Sequence, residues 1–194
     1  MNERQHAEAL QSYKFRQAVQ VADDNIQRRM DSYRQTLKSV EQLYVSSNHV
    51  SAEEFRLFVD DYTESPQDNG LRAIGFIKYI HLHQPQTYRD LDLPVQQLLK
   101  KVHPAEGDNE LAPVLYVEPR TDANQEKLLQ NTCADPQLRA DLRESGDGDR
   151  LVMSTQLALE GDVLQHHQYM LQAPVYWGGL PKADALVRRH HLNG

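Results

Sequence analysis

The sequence predicts an α+β fold: a long N-terminal helix, then antiparallel sheets with helices between their early strands. Three observations lead there. The first 45 residues contain neither proline nor glycine, and their apolar residues recur every three or four positions. After the break Ser65-Pro66-Gln67-Asp68-Asn69-Gly70, runs of β-branched and aromatic residues appear, first in Leu71–Leu82. The last third, rich in short apolar runs, reads as a meander.

In the N-terminal segment, Val19, Ala22, Ile26, Met30, Tyr33, Leu37, Val40 and Tyr44 fall on one helical face, with Asp23, Asp24, Arg28, Arg29 and Lys38 filling the other. A helix of about 40 residues spans ~60 Å, more than one small domain covers, so part of it is expected to pair with another helix. Ser51-Ala52-Glu53-Glu54 is a capping box that opens a second helix, whose buried face is Phe55, Phe58 and Val59. Leu71–Leu82 predicts a strand carrying Ile74, Phe76, Tyr79 and Ile80. Thr87–Val102 predicts a helix, and Pro113–Glu118 a short strand bounded by prolines. Asp135-Pro136 places an N-cap before proline, and Ser145-Gly146 is expected to end that helix. Arg150–Leu159, Gln165–Val175 and Leu186–Leu192 are expected strands, the last two pairing across Gly178-Gly179-Leu180-Pro181.

Composition narrows the function. A 194-residue chain can bury a real core, and 39% apolar with 25% charged residues is a globular, not a disordered, balance. The net charge of −7 argues against nucleic acid as a partner, because phosphate contacts want a basic face. Cys133 is the only cysteine, so there is no intrachain disulfide and no thiolate zinc site. No stretch reaches the roughly 20 apolar residues of a membrane span. The chain opens inside a helix and closes just after a strand-like segment, so further segments are expected on both sides.

Chemical motifs are scarce. Of nine histidines, His81 and His83 share a strand face, while His166-His167 and His190-His191 are adjacent and point opposite ways, a poor arrangement for one tetrahedral ion. Ser145-Gly146-Asp147-Gly148-Asp149 lacks the alternating ligands and closing glutamate of a calcium loop. There is no nucleophile elbow and no glycine-rich phosphate loop. No metal, no cofactor and no enzymatic activity are expected. Glu118, Asp122, Asn131 and Asp135 cluster in Leu111–Pro136, where Glu118 reads as a strand-end residue and Asp135 as a helix cap.

From residue 37 onward the order of signals resembles the CHASE family. Leu43-Tyr44-Val45-Ser46-Ser47 with Val50-Ser51-Ala52-Glu53-Glu54-Phe55 is similar to one element of that family. Leu71–Phe76 is similar to its first strand, and Ala112-Pro113-Val114-Leu115-Tyr116-Val117-Glu118-Pro119 to its "aPV.YiEP". Asn124, Leu128, Asp135-Pro136, Leu142–Gly146, Ala173-Pro174-Val175-Tyr176 and Leu192-Asn193-Gly194 follow in the family's order. The resemblance implies a long helix leading into two PAS-like α/β units with antiparallel sheets. The corresponding boundaries are 1–50 for a signalling and dimerisation helix, 51–160 for a membrane-distal ligand-binding unit, and 161–194 for membrane-proximal strands packing with the helix. It implies the periplasmic sensor domain of a membrane receptor, flanked by transmembrane helices, with a cytoplasmic diguanylate cyclase, cyclic-di-GMP phosphodiesterase or histidine kinase as output. The domain would bind a small molecule and form a homodimer through its N-terminal helix. A ligand-free dimerisation or protein-docking module is the alternative.

Two departures from the family stand out. Plant members hold cytokinin through an Asp where this chain has Asn131, so a different ligand is expected. In Gln84–Leu93 the usual family residues are replaced, with Tyr88 standing in for a Phe. The expected ligand-binding residues are Phe76, Tyr116, Asn131, Met153 and Thr155, on the two outer strands, the loop after them and the strand after Gly146.

Overall fold

A computed structural model describes residues 3–63, 70–82, 96–97, 102–104, 109–155, 169–179 and 184–194, with side chains from residue 10 on and excepting Thr155. The chain divides into two compact units, Met1–Thr36 and Leu37–Gly194. Helix α1 runs uninterrupted over Glu3–Ser46. In the first unit, side-chain contacts one turn apart decorate it: Gln20 Nε2 donates to Asp24 Oδ1 at 3.0 Å and Gln27 Nε2 to Asp23 Oδ2 at 3.2 Å. Its apolar residues Leu10, Tyr13, Phe15, Val19 and Ile26 are all more than half exposed.

The second unit begins with the last turns of α1, which bury Val40 and Tyr44. Helix α2 (Ala52–Thr63) starts at the predicted capping box. The Ser51 amide donates to Glu54 Oε2 at 2.8 Å, and the Glu54 amide donates to Ser51 Oγ at 3.2 Å. Phe55 and Val59 on its inner face are fully buried.

Strand β1 (Ile74–Ile77) pairs antiparallel with β4 (Val114–Glu118), setting Phe76 opposite Tyr116 and Gly75 opposite Val117. A side chain at Gly75 would bring its Cβ within 3.0 Å of the Tyr116 carbonyl, so glycine is what lets the strands approach. The predicted Leu71–Leu82 strand divides in two. After a register shift between Phe76 and Ile77, the Lys78 amide donates to the Pro113 carbonyl and the Tyr79 amide to the Asn193 carbonyl, both at 3.0 Å. The chain then resumes as β2 (Ile80–His81), paired with β3 (Glu110–Leu111). After a cis Glu118–Pro119 bond comes the short helix α3 (Asp122–Gln125), followed by a 3-10 turn at Thr132–Ala134.

Helix α4 (Pro136–Gly148) starts as predicted: Asp135 Oδ1 accepts from the amides of Gln137 and Leu138, and Pro136 occupies its first turn. Its end differs from the expected Ser145-Gly146 stop. The helix continues to Gly148 and closes at Asp149, whose φ of 48° is left-handed. Gly146 serves packing instead, since a Cβ there would meet Leu192 at 3.0 Å.

Strand β5 (Val152–Thr155) pairs antiparallel with β6 (Tyr169–Gln172). The expected strand at Leu186–Leu192 is instead helix α5 (Ala185–His191). Asp184 is the reason: its carboxylate accepts from the amides of Leu186 and Val187 and nucleates the first turn. Four basic residues in the last turn complement the helix dipole. The pairing expected between the last two segments is therefore replaced by an isolated bridge between Tyr176 and Leu192.

The α+β reading holds, with a long N-terminal helix and small antiparallel sheets. Of the expected Thr87–Val102 helix, Gln96 and Gln97 are helical, and most of the rest, like His83, Tyr88 and His166-His167, lies outside the described residues. Asp135→Ala is expected to destabilise the chain by about 1 kcal/mol, the usual worth of an N-cap. Chemical denaturation of both proteins measures it.

Candidate functional site

The sequence composes the site from four stretches of the second unit. The last turn of α1 contributes Tyr44, β1 and the residue after it contribute Phe76 and Lys78, β4 contributes Tyr116, and the C-terminal segment contributes Trp177 and Asn193. Together they line a cavity of about 30 Å³. That is room for about two water molecules, far below the roughly 300–1,000 Å³ of a pocket enclosing a drug-sized ligand. Asn48 and His49, exposed in the link between α1 and α2, form its lip.

Aromatic packing fixes the walls. Tyr44 stacks on Phe76 with ring centres 4.0 Å apart, and Tyr116 lies 6.2 Å from Phe76 and 5.4 Å from Phe55. The Tyr116 hydroxyl donates to the Val50 carbonyl at 3.0 Å. The Tyr44 hydroxyl, by contrast, is buried and finds no partner, and burial pushes its ionisation far above the usual tyrosine range. Lys78 is 2% exposed, an unusual depth for a lysine. Its Nζ donates to Asn193 Oδ1 and sits 4.6 Å from the centre of the Trp177 ring.

The five residues expected to bind ligand are dispersed. Phe76 and Tyr116 line the cavity as cross-strand partners. Asn131 lies outside its lining and caps the 3-10 turn. Its Oδ1 accepts from the amides of Ala112 at 2.9 Å and Cys133 at 3.2 Å, and its Nδ2 donates to the His103 carbonyl at 3.3 Å. The polar capacity that singled it out thus ties the segment after α3 to the start of β4. Met153 lies on β5 and is 55% exposed. Thr155 pairs with Tyr169 at the end of the same strand, and its side chain lies outside the described residues.

Sequence reasoning missed Tyr44 and Lys78. Tyr44 was read as part of an apolar helical stripe and of a family element, not as a cavity wall. Lys78 did leave a signal, a lone cation inside Ile74-Gly75-Phe76-Ile77-Lys78-Tyr79-Ile80.

Two carboxylates have structural partners. Glu118 is buried and accepts from Arg120 Nε at 3.0 Å, joining the strand end to the loop that follows. Glu110 accepts from Arg143 Nη2 at 2.8 Å and faces His81 Nδ1 at 3.8 Å. Burial pushes Glu110 up, but hydrogen bonds from Arg143 and Tyr79 outweigh it and hold the carboxyl below its ordinary value. Burial likewise lowers His81, against the pull of Glu110. Among the described residues no group of three or more His, Cys, Asp or Glu side chains could hold a metal ion.

The family model of the CHASE domain matches residues 48–194, and the chain belongs to that family. CHASE domains are extracytoplasmic sensor domains of signalling receptors and are not catalytic. No curated protein matches the chain. Among the described residues no helix is long and apolar enough to cross a membrane.

Asn131→Ala strands two backbone amides and is expected to cost about 2 kcal/mol, whereas Met153→Ala is expected to stay within about 0.5 kcal/mol. Urea denaturation of the pair reads both. The Glu110 site also sets a pH dependence. A carboxyl lowered on folding contributes stability that is complete above its unfolded value of about 4.5 and is lost as pH falls through its lower folded value. Arg143→Gln removes a strong hydrogen bond that holds Glu110 down. Its melting temperature is therefore expected to fall less steeply than the wild type's as the medium is acidified below pH 4.5.

Proposed function

We propose that this chain is the periplasmic sensor domain of a membrane receptor, binding a small ligand and passing a conformational change along α1 to a cytoplasmic output domain. The output is a diguanylate cyclase, a cyclic-di-GMP phosphodiesterase or a histidine kinase, and transmembrane helices flank the domain. One observation carries the reading beyond the family: a wall of the cavity is Tyr44, a residue of α1 itself. An occupant therefore acts directly on the helix that leads out of the domain. A ligand shifts such an equilibrium only through different affinities for two states, and opening this small cavity is a change that supplies the difference. In this reading residues 51–160 form the ligand-binding PAS-like unit, 161–194 the membrane-proximal strands, and 1–50 the dimerisation helix.

The exposed apolar residues of α1, Val19 and Ile26 among them, suit a second copy of the same helix. A double variant, Val19→Asp with Ile26→Asp, is expected to sediment as a monomer under conditions where the parent chain is a dimer. The same exposed stripe, together with the water-sized cavity, favours the second reading, a docking module without a small ligand. A thermal-shift screen of purines, amino acids and small carboxylates decides between them. A ligand at 100 times its Kd stabilises by about 2.7 kcal/mol, visible as a raised Tm. A flat screen would leave the docking module in place and remove the sensor.

A further inference from the structure

His81 stands where the β2–β3 pair meets α4 and α5. On β2 it is the register partner of Glu110 on β3, and its ring packs edge-on to Tyr79 with centres 5.1 Å apart. Its Nδ1 lies 3.8 Å from Glu110 Oε1, and the two side chains are 21% and 18% exposed. From α4, Arg143 Nη2 donates to Glu110 Oε2 at 2.8 Å. From α5, the Arg189 backbone hydrogen-bonds to the ring, while the Arg189 guanidinium and His190 act on it as like charges. Arg189 Nε donates in turn to Asp147 Oδ1 of α4 at 2.6 Å, and His190 is exposed.

The charges balance while the ring is neutral. Glu110 is matched by Arg143, and Asp147 by Arg189. A proton on His81 adds a positive charge that must share Glu110 with Arg143 and with the Tyr79 hydroxyl, in a site largely withdrawn from water. We propose that this junction is a proton-operated latch: neutral His81 lets α5 pack against β2 and β3, and a proton on its ring drives the cationic last turn of α5 away from them. Helix α5 is the element that yields, because Glu110 on β3 attracts the charged ring whereas Arg189 and His190 on α5 repel it. It is also the weaker partner, a helix of 7 residues with none buried. Burial above all, then the α5 cations, hold His81 below its ordinary value of 6.5 and outweigh Glu110 and the bond to the Arg189 backbone. A histidine lowered on folding contributes stability that is complete above its unfolded value and is lost as pH falls through its folded one. Acidification from neutrality therefore loosens the latch. It needs no small ligand, so a sensor and a docking module would carry it alike.

The test follows the 194-residue chain by NMR from about pH 7.5 to about pH 5, with amide hydrogen exchange and melting temperature as further readouts. The His81 imidazole is expected to titrate with a midpoint below 6.5, and the α5 amide shifts to follow that midpoint. At the acid end the α5 amides are expected to exchange about threefold faster relative to those of α2. In His81→Gln, whose side chain stays neutral, that relative change disappears, the α5 shifts keep only the titration of their own two histidines, and the melting temperature falls less. A His81 midpoint at or above 6.5, α5 shifts that do not follow it, or the same acid response in His81→Gln would overturn the proposal. If His81→Gln does not fold, His190→Gln decides. Removing that charge is expected to raise the His81 midpoint, and an unmoved midpoint overturns the latch.

Discussion

The stacking of Tyr44 on Phe76 is the contact on which the second unit depends. At 4.0 Å between ring centres it joins the last turns of α1 to the middle of β1. Phe76 is the register partner of Tyr116 on β4, and Tyr116 packs in turn on Phe55 of α2. The rings form a continuous core from α1 through both strands to α2. Strand side chains alternate, so a slip of one residue between β1 and β4 would turn Phe76 or Tyr116 away from this core. The ring contacts therefore set the register as well as the packing, and Gly75 keeps the strands close enough for both.

That constraint explains the bend that follows. Once Phe76 is fixed inward, Ile77 shifts register, and the next two amides leave β4 to find the carbonyls of Pro113 and Asn193. Buried amides must be paired, and here the C-terminal segment supplies the partner. The segment is itself held by Val175, whose amide donates to the Gly194 carbonyl at 2.6 Å and whose carbonyl accepts from Asn193 at 2.7 Å. Lys78 enters the interior at this crossing because its backbone has changed partners. A buried lysine needs polar or aromatic company, and Asn193 and Trp177 come from the same C-terminal stretch.

What was legible in the sequence followed local rules. The capping box at Ser51, the N-cap at Asp135 and the uninterrupted helix ahead of them depend on neighbours within a few residues, and each formed as read. The misreadings came where a local signal competed with a long-range contact or with a weaker local signal. Gly146 looked like a helix stop, yet its missing side chain makes room for Leu192 across the fold. The apolar run from Leu186 looked like a strand, yet the cap at Asp184 decided for helix. For the candidate site, Phe76 and Tyr116 were legible because alternation and pairing place them. Asn131 was legible only through its place in the family resemblance, and its use as a half-buried cap for backbone groups was not. Lys78, Trp177 and Asn193 were not legible, because more than 90 residues separate the first from the other two.

Tyr44 shows how ring packing overrides the pairing of a polar group. The stack on Phe76 needs an aromatic ring and makes no use of a hydroxyl. The ring's position leaves that hydroxyl buried, where an unpaired polar group costs about 1–3 kcal/mol. A phenylalanine would keep the core and avoid the cost, so packing alone gives no reason for the oxygen. Lys78 bears a comparable desolvation cost on the neighbouring strand, and there Asn193 and the Trp177 ring offset it.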